Sequence, residues 1–485
     1  MLFNSYIFIF AFLPFTFFVY FYLNSLKSKV AAKVFLVFAS LFFYSWWNPI
    51  YLPLILSSMF FNYAVGLSLS REAIHKIISK KVLLTVGIVA NVTLLGYFKY
   101  ADFFISNLNY LLDTDVGLLK LALPLAISFF TFQQIAYLVD SYRGETKEYS
   151  FLNYANFVTF FPQLIAGPIV HHSEMMPQFA SSSNKVKYYP HIAIGLFIFS
   201  IGLFKKIIIA DTFAVWATAG FDHAQVLNMV EAWVTSLSYT FQLYFDFSGY
   251  TDMAIGAALL FNIKLPINFN SPYKASTIQD FWRRWHMTLS RFLKEYIYIP
   301  LGGNKKGEVR TYIALMATFL IGGIWHGAGW TFLFWGFLHG SAIVIHRAWR
   351  HMGFRLNTLV AWFITFNFIN ITWVFFRAKE WEDAIKVLKG MFTGTLVLPL
   401  EWKEKLDFLV GTDVQFGYWL QAISIDTYTM YWVLMGLFVT LVLKNSNELA
   451  TNFKPSVLAA LYVAILFLVA ASSLSKLSEF LYFNF

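Results

Sequence analysis

The 485-residue chain contains no cysteine. Disulfides, thiolate nucleophiles and cysteine-ligated metals are therefore excluded. Charge is scarce as well. Asp, Glu, Lys and Arg make up 13% of the residues, about half the share usual in soluble domains. Internal repeats, low-complexity tracts and soluble-domain stretches are also missing. The lack of repeated halves counts against a secondary transporter. Several catalytic signatures are absent too: the Gly-x-Ser-x-Gly elbow, the His-Glu-x-x-His zinc motif, the GxGxxG loop, and a His and Asp separated by four residues.

What fills the sequence is apolar. Hydrophobic residues make up 58% and aromatics 20%, with 56 Phe, 27 Tyr and 16 Trp. A soluble globule cannot hide that much apolar side chain, and a disordered chain does not carry it. Long uncharged runs, rather than short alternating strands, specify helices and not a barrel. The fold class is an all-α, polytopic integral membrane protein. Apolar runs fall at 2–23, 34–47, 50–69, 82–98, 121–139, 190–220, 226–249, 311–326, 329–346, 356–376, 427–443 and 456–475. They predict about 11–13 transmembrane helices in one domain. The first run is too long for a signal-peptide core and reads as a retained span. Segment 151–170 is apolar but carries Asn153, Asn156, Pro162 and Pro168. It reads as a re-entrant piece, tolerable only if buried in protein.

Lys and Arg number 36 against 26 acids, a net charge of +10. The positive-inside rule accounts for this excess without nucleic acid. Lys27, Lys29 and Lys33, then Arg71, Lys76, Lys80 and Lys81, then Arg283 to Arg310, then Arg347, Arg350 and Arg355 all share one side if both termini are extracytoplasmic. Lys205–Lys206, inside a span, does not fit this scheme. Stretch 377–425 becomes an extracytoplasmic segment with its own amphipathic helices.

The informative residues are polar ones at membrane depth. Asp246 and Asp252 flank Gly249 in YFDFSGYTD. They read either as acids capping a helix break or as part of a site. In FWRRWH, the residues Trp282, Trp285, Leu289, Phe292 and Leu293 recur at helical spacing. They predict an amphipathic helix at the cytoplasmic interface, either a lipid anchor or a dock for an acidic donor. His326 sits in GGIWHGAGW, within a stretch from Thr311 to His346 that holds no Asp, Glu, Lys or Arg. A lone His in a span can simply bond to a carbonyl. The flanking glycines allow a ligand to approach, and imidazole suits base chemistry near neutral pH. His171–His172 with Glu174 mimics a metal pair, but adjacent histidines point apart on a helix, and no metal is expected.

Six motifs in order, FPQLIAGPI (161–169), YFDFSGYTDMAIG (244–256), LPINFNSPY (265–273), FWRRWHMTLS (281–290), YIPLGGN (298–304) and GGIWHGAGWTFLFWGFLHG (322–340), resemble the membrane-bound O-acyltransferase family, in its alginate and peptidoglycan O-acetyltransferase branch. The resemblance implies a ring of tilted helices around a central tunnel, with a catalytic core at about 151–346. It implies that His326 is the catalytic base and His286 its second polar residue. It also implies a cytosolic acyl thioester donor (acetyl-CoA or an acylated carrier), no bound cofactor, and a bacterial inner-membrane location. It further implies an extracytoplasmic polysaccharide acceptor (alginate, peptidoglycan, cellulose or another exopolysaccharide) and a separate extracytoplasmic acetyltransferase that completes the transfer. The expected donor-binding and tunnel set is Trp285, Trp325, Arg283, Arg284, Asn304, Lys305, His339, Asp246 and Asp252. The terminal FLYFNF (480–485) is similar to a motif of exporting acyltransferases whose Tyr, here Tyr482, is proposed to carry the acyl group. A non-catalytic transporter or channel for a polymer or lipid is the alternative.

Overall fold

A computed structural model of the chain describes residues 1–26, 28–146, 150–165, 167–424, 428–474 and 481. The fold is all-helical apart from one parallel pair of four-residue strands, Leu396–Pro399 and Val414–Gly417, in register Leu396 to Val414. Among the described residues, five helices are long and apolar enough to cross a membrane: Phe8–Ser25, Pro49–Ser70, Lys80–Leu112, Tyr189–His223 and Thr358–Arg377. In Lys80–Leu112 only 17% of the most apolar window is buried. Such an apolar outer face is at home only in hydrocarbon.

At the centre lies the 32-residue helix Met229–Leu260. A capping box starts it: the Asn228 side chain accepts from Glu231 N–H at 2.9 Å, and Glu231 accepts from Asn228 N–H at 3.0 Å. The other Glu231 oxygen takes Ala422 N–H at 2.7 Å, which ties down the 377–425 stretch. That stretch contributes the helix Trp381–Thr393, which packs back on the central one.

The sequence pattern YFDFSGYTD does not break this helix. Gly249 instead lets Tyr189–His223 pack directly against it. A Cβ on Gly202 would meet Gly249 O at 2.5 Å, and one on Gly195 would meet Gly256 O at 2.8 Å. Two glycine pairs, each seven residues apart, thus bring the backbones into contact. The contact also explains the lysines that fit no topology. They begin a π-turn, Lys205–Ala210, facing the acids of the central helix. Lys206 Nζ lies 2.5 Å from Asp246 and 2.9 Å from Asp211, and Lys205 Nζ lies 2.7 Å from Asp252. Ser446 O–H donates to the other Asp252 oxygen at 2.8 Å.

Segment 151–165 is broken at Phe160 between the helices Phe151–Thr159 and Phe161–Leu164 and is buried from Asn153 onward. The backbone irregularity is therefore covered by protein. The amphipathic surface helix expected over 282–293 is instead two short helices, Ile278–Trp282 and Met287–Leu293. Trp282, Trp285, Leu289, Phe292 and Leu293 are all buried in the protein rather than in lipid.

Candidate active site

His326 is the last residue of the helix Glu308–His326, and Gly327 continues in an extended conformation. A Cβ at Gly327 would lie 2.2 Å from the Phe332 ring, so a side chain there would have to displace that ring. The imidazole is buried in an aromatic box. Trp335 and Phe376 meet it edge-on at centroid distances of 5.2 and 5.0 Å, and Trp325 lies at 5.0 Å.

His286 lies 6.4 Å from His326, centroid to centroid, and is fully buried. It joins the two short helices with φ +42°, a left-handed conformation uncommon outside glycine. The LPINFN loop holds it there. Met287 N–H donates to Asn268 O at 2.9 Å, and Thr288 N–H and O–H donate to Asn268 Oδ1 at 3.2 and 2.9 Å. Because a backbone N–H can only donate, the atom it faces is the amide oxygen. His286 Nδ1, 3.1 Å from the same oxygen, must therefore carry a proton. Its Nε2 is left as a lone-pair acceptor, buried and without a partner among the described residues. Trp335 Nε1 is likewise buried without a partner.

A cavity of about 610 Å³ opens on the basic side. Apolar Trp282, Leu315, Phe319 and Ile343 line it together with Arg283, Lys294, His346, Arg347, Arg350 and His351. A second cavity, about 300 Å³, lies beyond the other end of the His326 helix, against Lys99, Asp102, Gly327 and Ala328. From Thr318 in the first to His326 is roughly 12 Å along the helix. The imidazole therefore lies between the two cavities.

The family model described as MBOAT, membrane-bound O-acyltransferase family, matches residues 76–377. The chain belongs to this family. It is thus a multi-pass membrane O-acyltransferase, and the transporter alternative falls away. A peptidoglycan O-acetyltransferase of Helicobacter pylori is 51% identical to it over 100% of this chain and 98% of its own length. A probable alginate O-acetylase of Pseudomonas aeruginosa is 39% identical over 81% of this chain and 75% of its own. A teichoic acid D-alanyltransferase of Bacillus subtilis is 27% identical over 53% and 69%.

Measured against this acyltransferase frame, the expected site residues divide. His326, His286 and Trp325 come together at the aromatic box, whereas Trp285 packs one layer out, on Trp373 at 5.0 Å. Trp325 Nε1 already faces Ser128 O at 3.5 Å. Arg283 lines the basic cavity, whereas Arg284 pairs with Asp280 at 3.0 Å. Asn304 and Lys305 are exposed and do not line it. His339 has both ring nitrogens engaged. Nδ1 accepts from Trp282 Nε1 at 3.2 Å, and Nε2 donates to Thr372 Oγ1 at 3.1 Å, whose own proton goes to Ile369 O. Asp246 and Asp252 are committed to Lys206 and Lys205. Tyr482 lies outside the described residues. Its neighbour Leu481 donates N–H to Asp246 at 3.1 Å.

Sequence reasoning missed Lys294, His346, Arg347, Arg350, Trp335 and the Asn268 clamp. The basic residues were visible as topology signals, but the pairing of helices that gathers them was not. No group of three or more His, Asp or Glu capable of holding a metal occurs among the described residues. His171 Nδ1 meets the Tyr296 hydroxyl at 3.1 Å and His172 Nδ1 meets Asp140 at 3.1 Å, and Tyr296 and Asp140 are themselves hydrogen-bonded at 2.9 Å, so both histidines belong to one polar cluster.

Proposed function

We propose that this protein takes an acetyl group from a cytosolic thioester at the basic cavity and transfers it, through the His326 box, for O-acetylation of an extracytoplasmic polysaccharide. The observation that carries the reading is the position of His326, buried between a cationic cavity and a second cavity at the opposite end of its helix. Arg283, Lys294 and Arg350 match the phosphates of acetyl-CoA, while Arg347 beside them is paired with Glu308 at 2.8 and 2.9 Å. The apolar floor suits its pantetheine arm. His326 removes the proton of the attacking hydroxyl; the ester C–O bond forms as the thioester C–S bond breaks, and the proton passes from His326 to the departing thiolate. The lone pair on His286 Nε2 accepts a hydrogen bond from the donor or acceptor. Trp335 Nε1–H, in place of the indoles of Trp325 or Trp285, is the donor available to a developing oxyanion.

The polymer favoured is peptidoglycan, because the Helicobacter pylori relative is similar over this whole chain, whereas the alginate relatives cover less of it at lower identity. Tyr482 is the proposed acyl carrier, since a phenol next to a base becomes a nucleophile. The anchoring of Leu481 on Asp246 supports this. A separate extracytoplasmic acetyltransferase would complete the transfer. His326→Ala, at unchanged protein level, should abolish acetyl transfer, and full activity would refute the reading. For the carrier step, intact mass should show an acetyl adduct that Tyr482→Phe removes. Undiminished transfer by that variant would discard the step.

A further inference from the structure

We propose that Lys99 is a positioning residue of the acyl-transfer site, capping with its ammonium group the helix end that carries His326. The inference rests on His326 as the reacting base.

An α-helix leaves its last carbonyls without intrahelical partners, so they need partners from elsewhere. The helix Glu308–His326 stops abruptly, because Gly327 is already extended. Gly327 N–H reaches only Gly323 O, at 3.4 Å. The three carbonyls that follow are satisfied by two adjacent residues of another helix. Tyr100 O–H donates to Ile324 O at 2.7 Å. Lys99 Nζ donates to Trp325 O at 2.5 Å and to His326 O at 3.1 Å, and reaches Ser128 Oγ at 3.3 Å. Both residues belong to a single π-turn, Gly96–Tyr100, in the long helix Lys80–Leu112. Such turns redirect side chains and recur at functional sites.

The charge matters beyond the hydrogen bonds. Lys99 has no carboxylate within ion-pair distance among the described residues. The neighbouring Asp102 commits its oxygens to the N–H groups of Leu119 and Lys120, at 2.7 and 2.9 Å. An ammonium group without an acid is costly at this depth. Its counter-charge is the negative end of the helix itself. Lys99 therefore fixes the backbone of His326 and offsets the helix field at the imidazole.

The test uses the full chain reconstituted in liposomes, with acetyl-CoA turnover as readout. Lys99→Met should lower kcat by about ten- to a hundredfold while KM for acetyl-CoA stays within about twofold. Lys99→Arg, which restores charge and donors, should recover most of the rate. Lys99→Gln keeps amide donors without charge; it should fold even if the Met variant does not, and should still show the kcat loss. Wild-type kcat in the Gln or Met variant, a change confined to KM, or no rescue by Arg would overturn the inference. His326→Ala is run alongside. If it turns over normally, the reading of His326 has failed; if it is inactive while the uncharged Lys99 variants are active, only the role of Lys99 has.

Discussion

Replacing Lys206 should destabilise the protein more than replacing either of its acidic partners. The Lys206 and Asp246 side chains are 4% and 1% exposed, and the ammonium also serves Asp211. Lys206→Met leaves Asp246 charged and unpaired in the core, a loss of about 3–5 kcal/mol. Asp246→Asn leaves Lys206 still paired with Asp211 at 2.9 Å, so its cost is smaller, about 1–3 kcal/mol. The double variant Lys206→Met/Asp246→Leu removes both charges and should regain most of the loss. An unfolding entropy of about 2.1 cal/mol/K per residue gives roughly 1 kcal/mol per degree for a chain of this length. Lys206→Met should then lower the melting temperature by roughly 3–5 °C, followed by tryptophan fluorescence in detergent with size-exclusion profiles as control. A Lys206→Met protein that melts with the wild type, or a double variant less stable than it, would refute the reasoning.

Three further outcomes follow from the geometry. Gly202→Val should cost most of the monodisperse protein, because a Cβ there meets Gly249 O at 2.5 Å, whereas Gly117→Val, with open space around it, should be harmless. Arg350→Ala should raise KM for acetyl-CoA by about tenfold, equivalent to about 1.4 kcal/mol, with kcat unchanged and with weaker salt dependence in a KM titration. Burial, helped by the Arg291 guanidinium, pushes the His171 imidazole down to about 4, while an unfolded histidine titrates near 6.5. Between these values the unfolded chain binds more protons, so the His171 contribution is intact above pH 6.5 and is lost as pH falls toward 4. His171→Asn should flatten that part of the curve of melting temperature against pH.

The apolar runs announced the fold class because hydrocarbon imposes a simple length rule. That rule says nothing about which helices touch. Lys205 and Lys206 looked misplaced until Asp246 and Asp252 were seen across the glycine contact. Gly249 looked like a break because glycine is a breaker in water, whereas between apolar helices it is a contact point. His326 and His286 were legible as polar groups in an apolar or aromatic context. The tautomer of His286 was not, since it depends on Asn268, 18 residues upstream, whose amide the neighbouring Thr288 orients. The basic cavity was half legible. Arg283 belongs to it, but Arg347 and Arg350 join it only through the pairing of Glu308–His326 with Trp330–His351. Asn304 and Lys305 are exposed and do not line it.

The glycine contact also sets an order in time. Lys206 has Asp211 five residues on in its own helix, but Lys205 is synthesised before its counter-charge exists, since Lys205 and Asp252 are 47 residues apart. A lysine left alone at the centre of a bilayer costs about 2.5–3.5 kcal/mol on insertion scales. Tyr189–His223 is therefore a poor resident of the membrane by itself and becomes a stable one only when Met229–Leu260 arrives. In the fold the two form a hairpin that the glycines close backbone to backbone, which brings the lysines to their acids.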